Sequence, residues 1–594
     1  MNLTLTPAGT PVKPASEMRP PPPTARPAAS RGTRAARLAE LAMLAIAAIF
    51  FALHFVHLQA DFPNHSPWSD WSKYTDEGWY GDAAIRHYQL GHWYLPGDFN
   101  PAAALPVWPA IELALFRFTG VSLTAARALT VTVFGLIMAI CYLLIRRWPG
   151  PENPSRNAPN GAGNFTAGSI APALAVLLLA VSPYCFAFMR LAILEPPLVL
   201  LALAALLGAS AAGRSNSPSW PLALSLLLPL IVLTKTTGIF LFPSIFYLLW
   251  AATGYRIRPA LKASLISTST GALLWSAYYL LFVRPHHLID YRYLFSANAY
   301  TGITSDTFWS VLGDTISDGM WIGVTLSIMA LVAVLVALAL LCTRRTRSNP
   351  LAAALLLWVF GYGGFVAYHA NLQPRYYLVL AVPLTMLVAM VFEWALSAAL
   401  KAWPGTHARA RVVALLLTSA TAITTAALLF VIANGARMTT AFLLHPEYQF
   451  VTAADQIRDA IDREAAADPS HSRLLLSISG ADLSLIAGLP SICDDFGTMT
   501  LTDRVAAYRP GWFATWNDVE DDKMESLTPL YRLVRVGEWP AFDDPERNLL
   551  ILYRLDPLAS PGPPGRPGRR RSLAVPHRLR TKIGEQPTVR QLKH

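Results

Sequence analysis

Apolar residues in this chain fall in blocks of about 20, the length a helix needs to cross the hydrocarbon of a bilayer. The first block runs from Ala35 to Leu58, and others run at about 124–145, 168–189, 192–211, 218–234, 237–253, 262–283, 319–342, 351–370, 376–399 and 412–434. The pattern predicts about eleven transmembrane helices. The first block is too long for the apolar stretch of a signal peptide and no small-residue cleavage site follows it, so it reads as a retained span. An odd number of spans puts the two ends of the membrane domain on opposite sides.

From about 440 the pattern changes: a helix-like stretch at 449–466, an apolar run Leu474-Leu475-Leu476-Ser477-Ile478, a second helical stretch, then Trp512 to Trp516 and Leu549 to Tyr553. Helices alternating with short buried strands predict a small α/β domain. Pro-, Ala- and Arg-rich residues at the start, and Pro-, Gly- and Arg-rich residues at the end, cannot bury a core. The expected organisation is a disordered cytoplasmic N-terminus over 1–36, a transmembrane domain over 37–435 with a long first outer loop at 59–122, a soluble α/β domain over 440–556, and a disordered basic tail over 557–594.

Composition agrees: 54% of the 594 residues are hydrophobic and 14% charged, with a mean hydropathy of +0.38, which excludes a soluble multidomain enzyme. The net charge of +11 does not argue for nucleic acid, because most of the excess lies in loops and tails. Four cysteines, Cys141, Cys185, Cys342 and Cys493, three of them inside apolar blocks, give neither a disulfide framework nor a paired metal-ligand spacing. Charge also orients the chain. With the N-terminus in the cytoplasm, every cytoplasmic segment is basic, through Arg31, Arg34 and Arg37; Arg146, Arg147 and Arg156; Arg214; Arg256, Arg258 and Lys262; Arg344, Arg345 and Arg347; and Lys401, Arg409 and Arg411. The other side receives Asp61, Asp70, Asp76, Glu77, Asp82 and Asp98 in the first loop and Asp290, Asp306, Asp314 and Asp318 in a later one. The α/β domain then lies outside the cytoplasm, and the chain is a multi-pass protein of the plasma membrane, the inner membrane of a prokaryote.

Candidate chemistry gathers on that outer side. The first loop, about 60 residues, is too long for a mere connector. Its centre reads Lys73-Tyr74-Thr75-Asp76-Glu77-Gly78-Trp79-Tyr80, and residues 106–120 have the amphipathicity of helices lying on a membrane surface. Asp76 and Glu77 can serve as a general base or orient a cation, or they are solvated loop acids. Glu195, in Leu194-Glu195-Pro196-Pro197, sits at a span end, where a carboxylate is costly unless partnered; it is a functional candidate, or it pairs with Arg190. Lys235 and Arg375 are isolated cations at outer ends of apolar blocks, and each needs an anion. Phosphate suits both, with snorkelling to lipid the alternative. Carboxylates to activate a hydroxyl and cations to hold a phosphate, on one membrane face, point to group transfer from a lipid-linked phosphate donor.

These residues also carry a resemblance. The chain resembles the GT-C superfamily of polyprenyl-phosphate-sugar-dependent glycosyltransferases, which includes protein O-mannosyltransferases, lipid A aminoarabinose transferases and rhizobial core-sugar transferases. The matching pieces are Asp76-Glu77 with Tyr80, the segment from Phe118 to Arg127, Glu195-Pro196, Leu233-Thr234-Lys235 and Arg375-Tyr376-Tyr377, in that order over roughly residues 40–435. The resemblance implies a GT-C-like polytopic helical fold and inverting transfer of a hexosyl or pentosyl group from a polyprenyl-phosphate donor to a glycan, lipid or protein acceptor. Asp76 would take the acceptor proton, Glu77 and Glu195 would position the acceptor or stabilise positive charge, and Lys235 and Arg375 would stabilise the departing phosphate, with Tyr80 and Tyr376 at the substrate.

His287, with His286 and Asp290, and His87 with His92, are candidates for a sugar or a divalent metal, against plain loop hydrogen bonding; no HExxH or CxxC accompanies them. No cofactor follows from the sequence, with a divalent metal left open. Gly361, Gly363 and Gly364 admit close helix approach, and the acidic pairs Asp494-Asp495, Asp521-Asp522 and Asp543-Asp544 read as solvated turns. The rival function is a transporter or lipid flippase, whose ionisable residues belong near the bilayer midplane with internal repeats; here they sit at span ends and no two-half repeat is visible. A membrane scaffold displaying the C-terminal domain is the third reading.

Overall fold

The computed structural model describes residues 31–148, 169–212, 219–297, 304–317, 322–342, 349–369, 373–402, 408–544 and 547–558. The expected disordered ends fall outside the described residues apart from 31–36 and 557–558, as do Arg156, Arg214, Asp318, Arg344, Arg345 and Arg347.

The chain begins with α1 (Arg31–Leu53), α2 (Asp76–Leu90), α3 (Val107–Thr119) and α4 (Leu123–Arg147). A bundle follows: α5 (Ala171–Ala180), α6 (Pro183–Phe188), α7 (Glu195–Ala212), α8 (Ser219–Thr234), α9 (Phe242–Ala252), α10 (Ile257–Tyr278), α11 (Leu288–Ala297), α12 (Ser305–Ser317), α13 (Val324–Cys342), α14 (Pro350–His369), α15 (Leu378–Ala402) and α16 (Ala408–Leu444). Among the described residues eight helical stretches are long and apolar enough to cross a membrane, with three shorter apolar helices beside them. Burial sorts them. The apolar windows of α7 and α15 are 78% buried, whereas those of α1 and α16 are 11% buried and turn Leu41, Ile49, Leu416 and Phe430 outward, as helices facing lipid do.

Two expected spans differ in detail. The block at 168–189 is broken between α5 and α6, because Ser182 precedes a proline, which disfavours helix, and its hydroxyl caps α6 by accepting from the Cys185 amide at 3.3 Å. The block at 262–283 runs on through a π-helical stretch (Tyr279–His287) into α11, so His286, His287 and Asp290 stand on a continuous helix and not in a loop.

The α/β domain comprises α17 (Gln449–Ala467), β1 (Leu475–Leu476), α18 (Gly480–Ala487), β2 (Ser491–Ile492), α19 (Leu501–Tyr508), β3 (Trp512–Trp516), α20 (Asp521–Leu527), β4 (Tyr531–Pro540) and β5 (Leu549–Pro557). Its sheet has the order β2-β1-β3-β5-β4, with β1 parallel to β2 and β3, and β5 antiparallel to β3 and β4. Alternation divides the sheet into two cores. Leu475, Trp512, Ala514, Leu550 and Leu552 pack under α17, while Leu476, Phe513 and Leu555 pack under α19 and α20. Asp494 is buried with Lys523 Nζ at 3.3 Å, whereas Asp495 beside it is exposed, so only one member of that acidic pair is solvated.

The first loop is built into this domain. Tyr74 joins the core under α17, Leu95 joins the core on the opposite face, and Leu485 of α18 packs among α2, α3 and α4. The Asp61 carboxylate accepts the Phe450 and Val451 amides at 2.8 and 3.2 Å, capping α17. Asp98 is bound by Arg86 at 2.5 Å and by Arg504 of α19 at 3.0 Å, and accepts the Cys493 amide at 3.1 Å. The closest approach is at Gly78, where a Cβ would stand 2.1 Å from the Ala481 carbonyl carbon. Helix α18 thus rests backbone to backbone on the helix that carries Asp76 and Glu77.

Candidate active site

Asp70 starts the site. Its carboxylate accepts the Ser72 amide at 2.8 Å, forming the cap of a short 3-10 turn (Trp71–Lys73), and the chain then enters α2 with Asp76 and Glu77 in the first turn. Acids there complement the unpaired amides of a helix N-terminus. Adjacent helical positions diverge by 100°, so the two carboxylates face different neighbours. Both are buried, 1% and 2% exposed, and neither is a solvated loop acid.

Glu77 is fully engaged. Arg127 of α4 grips it through Nε at 2.9 Å and Nη2 at 2.5 Å, and the Ala192 amide donates to it at 2.8 Å. The remaining Arg127 nitrogen donates to the Leu58 and Ala60 carbonyls at 2.9 and 2.5 Å. This arrangement ties α2, α4 and the residues before α7 together and leaves Glu77 no oxygen for a substrate.

Asp76 faces Arg375, with its Oδ2 2.9 Å from Nε, and its Oδ1 accepts the Thr75 hydroxyl at 3.1 Å. Arg375 is held in turn by Asp70, whose oxygens take its Nη1 at 2.5 Å and its backbone amide at 2.8 Å. Burial pushes the Asp76 carboxyl up to about 6, with Arg375 opposing the shift and Asp70 adding to it. One turn on, the Tyr80 phenol is raised well above its ordinary range by burial first and the Asp76 charge second, so it stays an O–H donor.

Lys235, buried between α8 and a 3-10 turn (Thr236–Leu241), pairs with Glu195 at the start of α7; Glu195 does not pair with Arg190. The second Glu195 oxygen, Oε2, is buried without a hydrogen-bond partner. Lys235 Nζ lies 4.4 Å from the Tyr376 ring centre and Arg375 Cζ lies 4.9 Å from the same ring, so Tyr376 stands between the two cations. A 3-10 turn (Pro374–Tyr377) presents both Arg375 and Tyr376, and the Tyr184 hydroxyl fixes it by donating to the Pro374 carbonyl at 2.5 Å.

Asp76, Tyr80, Glu195, Lys235, Arg375 and Tyr376 therefore form one buried cluster, with Glu77 on its far side. His287 is elsewhere. Its ring stacks on Tyr94 at 3.9 Å and its Nδ1 is 3.7 Å from Asp290, which also accepts from Asn100 at 3.0 Å. Among the described residues no group of three or more His, Cys, Asp and Glu is arranged to hold a metal ion. Gly361 is a close-approach glycine, its Cβ position 2.4 Å from the Phe240 carbonyl oxygen.

Sequence reasoning missed Asp70, one of seven acids in the loop and marked by no motif. It also missed two buried carboxyls. Glu112 of α3 is fully buried, neither oxygen has a hydrogen-bond partner, and burial followed by the Glu77 charge raises it well above its ordinary range. Asp482 of α18 is raised in the same way, by burial first and Glu77 second. An acid on the apolar side of α3 was the available signal for Glu112; nothing local marks Asp482.

No protein-family model matches the chain, and no curated protein matches it in sequence. Solved structures do match. The crystal structure of ArnT from Cupriavidus metallidurans bound to undecaprenyl phosphate superposes with a TM-score of 0.54 at 15% identity, over 86% of this chain and 97% of ArnT. The archaeal oligosaccharyltransferase AglB from Archaeoglobus fulgidus, in complex with an inhibitory peptide and a dolichol-phosphate, superposes with a TM-score of 0.44 at 13% identity, over 86% of this chain and 74% of AglB. The chain shares the fold of ArnT: a bundle of helices, several of them long and apolar enough to cross a membrane, with a small C-terminal sheet domain.

Proposed function

We propose that the protein is a membrane glycosyltransferase that moves a sugar from a polyprenyl-phosphate donor to an acceptor hydroxyl at the outer face of a prokaryotic inner membrane. The observation that carries the reading is the buried pairing of a carboxylate of raised pKa, Asp76, with Arg375, beside a second cation, Lys235, on the same tyrosine ring. Few reactions need a base and two phosphate-binding cations in one apolar enclosure; displacement of a lipid phosphate by a hydroxyl does. ArnT, which has this fold, is bound to undecaprenyl phosphate in its crystal structure, and the same class of ligand suits Lys235 and Arg375.

In this reading the acceptor oxygen attacks the anomeric carbon and forms the new C–O bond, the bond from that carbon to the phosphate oxygen breaks with its electron pair leaving on the phosphate, and the acceptor proton goes to an Asp76 oxygen. Configuration inverts. A carboxyl near 6 is about nine-tenths ionised at pH 7, ready to take the proton. Phosphate enters by displacing Glu195 from Lys235, which gives Glu195 the role of an internal placeholder, and Tyr80 donates to the acceptor or to Asp76. Glu77 acts as architecture and does not meet the acceptor. His287, away from the cluster, would meet only a distant part of the acceptor. Basic segments on the opposite side of the bundle, such as Arg146 and Arg147 closing α4, support the outward orientation.

The test is release of polyprenyl phosphate by full-length protein in nanodiscs, over a panel of polyprenyl-phosphate sugars with a membrane extract as acceptor. Wild type is expected to turn over one donor, and Asp76→Asn to lose about 10²–10⁴-fold in rate while keeping its unfolding midpoint. No turnover of any donor by folded protein overturns the reading.

A further inference from the structure

A second polar enclosure lies near the Asp76 cluster, where the end of α1 meets the end of α16. It has a volume of about 30 Å³, and its lining includes His57, Asp61, Arg127, Arg190, His445 and Glu447. That is room for a water or two, or for two oxygens of a phosphate seated from its mouth, and not for a sugar ring.

Most of its charged groups are already satisfied. Arg127 is committed to Glu77 and to two carbonyls, Asp61 accepts two amides of α17, and Glu447 accepts the Asn64 amide at 3.0 Å and lies 3.3 Å from His65. Arg190 differs. It is 9% exposed, its Nη2 donates to the Val56 and His57 carbonyls at 2.8 and 2.5 Å, and its guanidinium lies 4.4 Å from the Phe186 ring centre. Among the described residues no carboxylate pairs with it, and its Nε and Nη1 hydrogens have no acceptor. A guanidinium has five donors, and those of Arg190 that no protein acceptor takes are available to an anion entering the enclosure, with Glu77 acting on it only from beyond contact. Arg190 thus keeps donors for an anion that the protein does not itself supply at contact distance.

The surroundings say what the anion is attached to. Phe55 and Val56 at the end of α1 are 40% and 38% exposed, and Leu444 at the end of α16 is 67% exposed. These apolar side chains continue the outward faces of two helices that are otherwise bare to lipid. A phosphate with hydrocarbon attached satisfies both halves, whereas free phosphate satisfies one.

We propose that the Arg190 enclosure holds the phosphate diester headgroup of a bilayer phospholipid, with its acyl chains along Phe55, Val56 and Leu444. The site needs only that the chain spans a bilayer, and it stands or falls independently of the transferase reading.

The test uses delipidated full-length protein in detergent, with binding read by native mass spectrometry and by the unfolding midpoint. The probes are dioctanoylphosphatidylglycerol, dioctanoylglycerol, which lacks the phosphate, and inorganic phosphate, which lacks the chains. Saturable binding of the phospholipid alone is expected, weakened about tenfold in Arg190→Lys, which keeps the charge but loses the planar fork. The ligand-free midpoint of that variant reports any loss of the Val56 and His57 contacts separately. Equal binding of dioctanoylglycerol overturns the proposal, because hydrocarbon alone then suffices. Equal binding of inorganic phosphate overturns the lipid source, and unchanged phospholipid binding in folded Arg190→Lys removes Arg190 from the site.

Discussion

Replacing Gly78 by alanine tests whether the C-terminal domain holds the site in place. The new Cβ would stand 2.1 Å from the Ala481 carbonyl carbon and 2.2 Å from the Asp482 nitrogen, where ordinary contact begins at 3.4 Å. Helix α18 has to retreat from α2 by about 1 Å, and backbone cannot yield as a flexible side chain can. It is anchored on both sides of the contact, since the Trp79 indole donates to the Ile478 carbonyl at 3.0 Å and the Gln89 amide to the Ser484 carbonyl at 3.2 Å. Overpacking of this kind costs about 1–3 kcal/mol. Asp76 is two residues away, and a misplacement of about 1 Å in a catalytic group costs on the order of 10²-fold in rate. Unfolding midpoint and polyprenyl-phosphate release are measured on the same preparation, beside Gly363→Ala in α14, whose Cβ would meet nothing within 4 Å. The control is expected to match or exceed wild type, because alanine is favoured over glycine inside a helix by about 0.5–1 kcal/mol. Wild-type midpoint and turnover in Gly78→Ala would refute the clamp and make the sheet domain an appendage.

With the Asp76 carboxyl near 6, turnover is expected to rise with pH through about 6 and then level off; Asp70→Asn removes a neighbouring negative charge and shifts that limb to lower pH, and a flat profile between about pH 5 and 8 contradicts a carboxylate base. Glu112 has a folded-state pKa above its unfolded value, so its stabilising contribution is complete at low pH and is lost as pH rises toward the folded value. Glu112→Gln is therefore expected to flatten the fall of the unfolding midpoint with rising pH, and an unchanged slope shows that Glu112 is ionised and paired. Arg375→Lys keeps a charge but cannot hold Asp70 and a phosphate together, and kcat is expected to fall on the order of 10²-fold with KM little changed. A raised KM at unchanged kcat, from steady-state kinetics, would assign Arg375 to ground-state binding alone.

The membrane domain was legible because a bilayer admits few solutions: backbone groups must be satisfied within a helix, and a helix must be about 20 residues long to cross. Four of the cluster residues were legible for a related reason. Glu195, Lys235 and Arg375 stand at ends of apolar blocks, where an unpaired charge is expensive, and Asp76 lies in a loop too long to be a connector. Their partners were not legible. Glu195 is paired by Lys235, forty positions on, and Asp70 by Arg375, three hundred and five positions on. Charge alone makes the seven acids of the first loop look solvated, yet all seven are buried, Asp61 by the start of α17, Asp70 and Asp76 by Arg375, Glu77 by Arg127, Asp82 by Arg86, Asp98 by Arg86 and Arg504, and Glu112 against Gly81 of α2. The covering sheet is encoded some four hundred residues later, and no local pattern in the loop announces it.

The pairing of Asp76 with Arg375 acquires a meaning from the charge that moves. Asp70, Asp76 and Glu195 against Arg375 and Lys235 sum to one negative charge, an unfavourable place for a phosphate to enter while all three acids are ionised. Transfer from a phosphodiester donor leaves a phosphomonoester with one more negative charge than it began with. In the proposed reaction the same event would put a proton on Asp76 and remove one negative charge there. Arg375 touches Asp76, and in the proposed reaction its guanidinium would pass from that carboxylate, as it is neutralised, to the phosphate as it becomes charged, without either charge lying bare in an apolar enclosure. Proton uptake and departure of the phosphate would then be linked through one side chain, most strongly in the transition state, when both are half complete. Asp70 holds Arg375 by the backbone amide and one guanidinium nitrogen, and in the proposed exchange it would keep that hold while the rest of the fork changed partners.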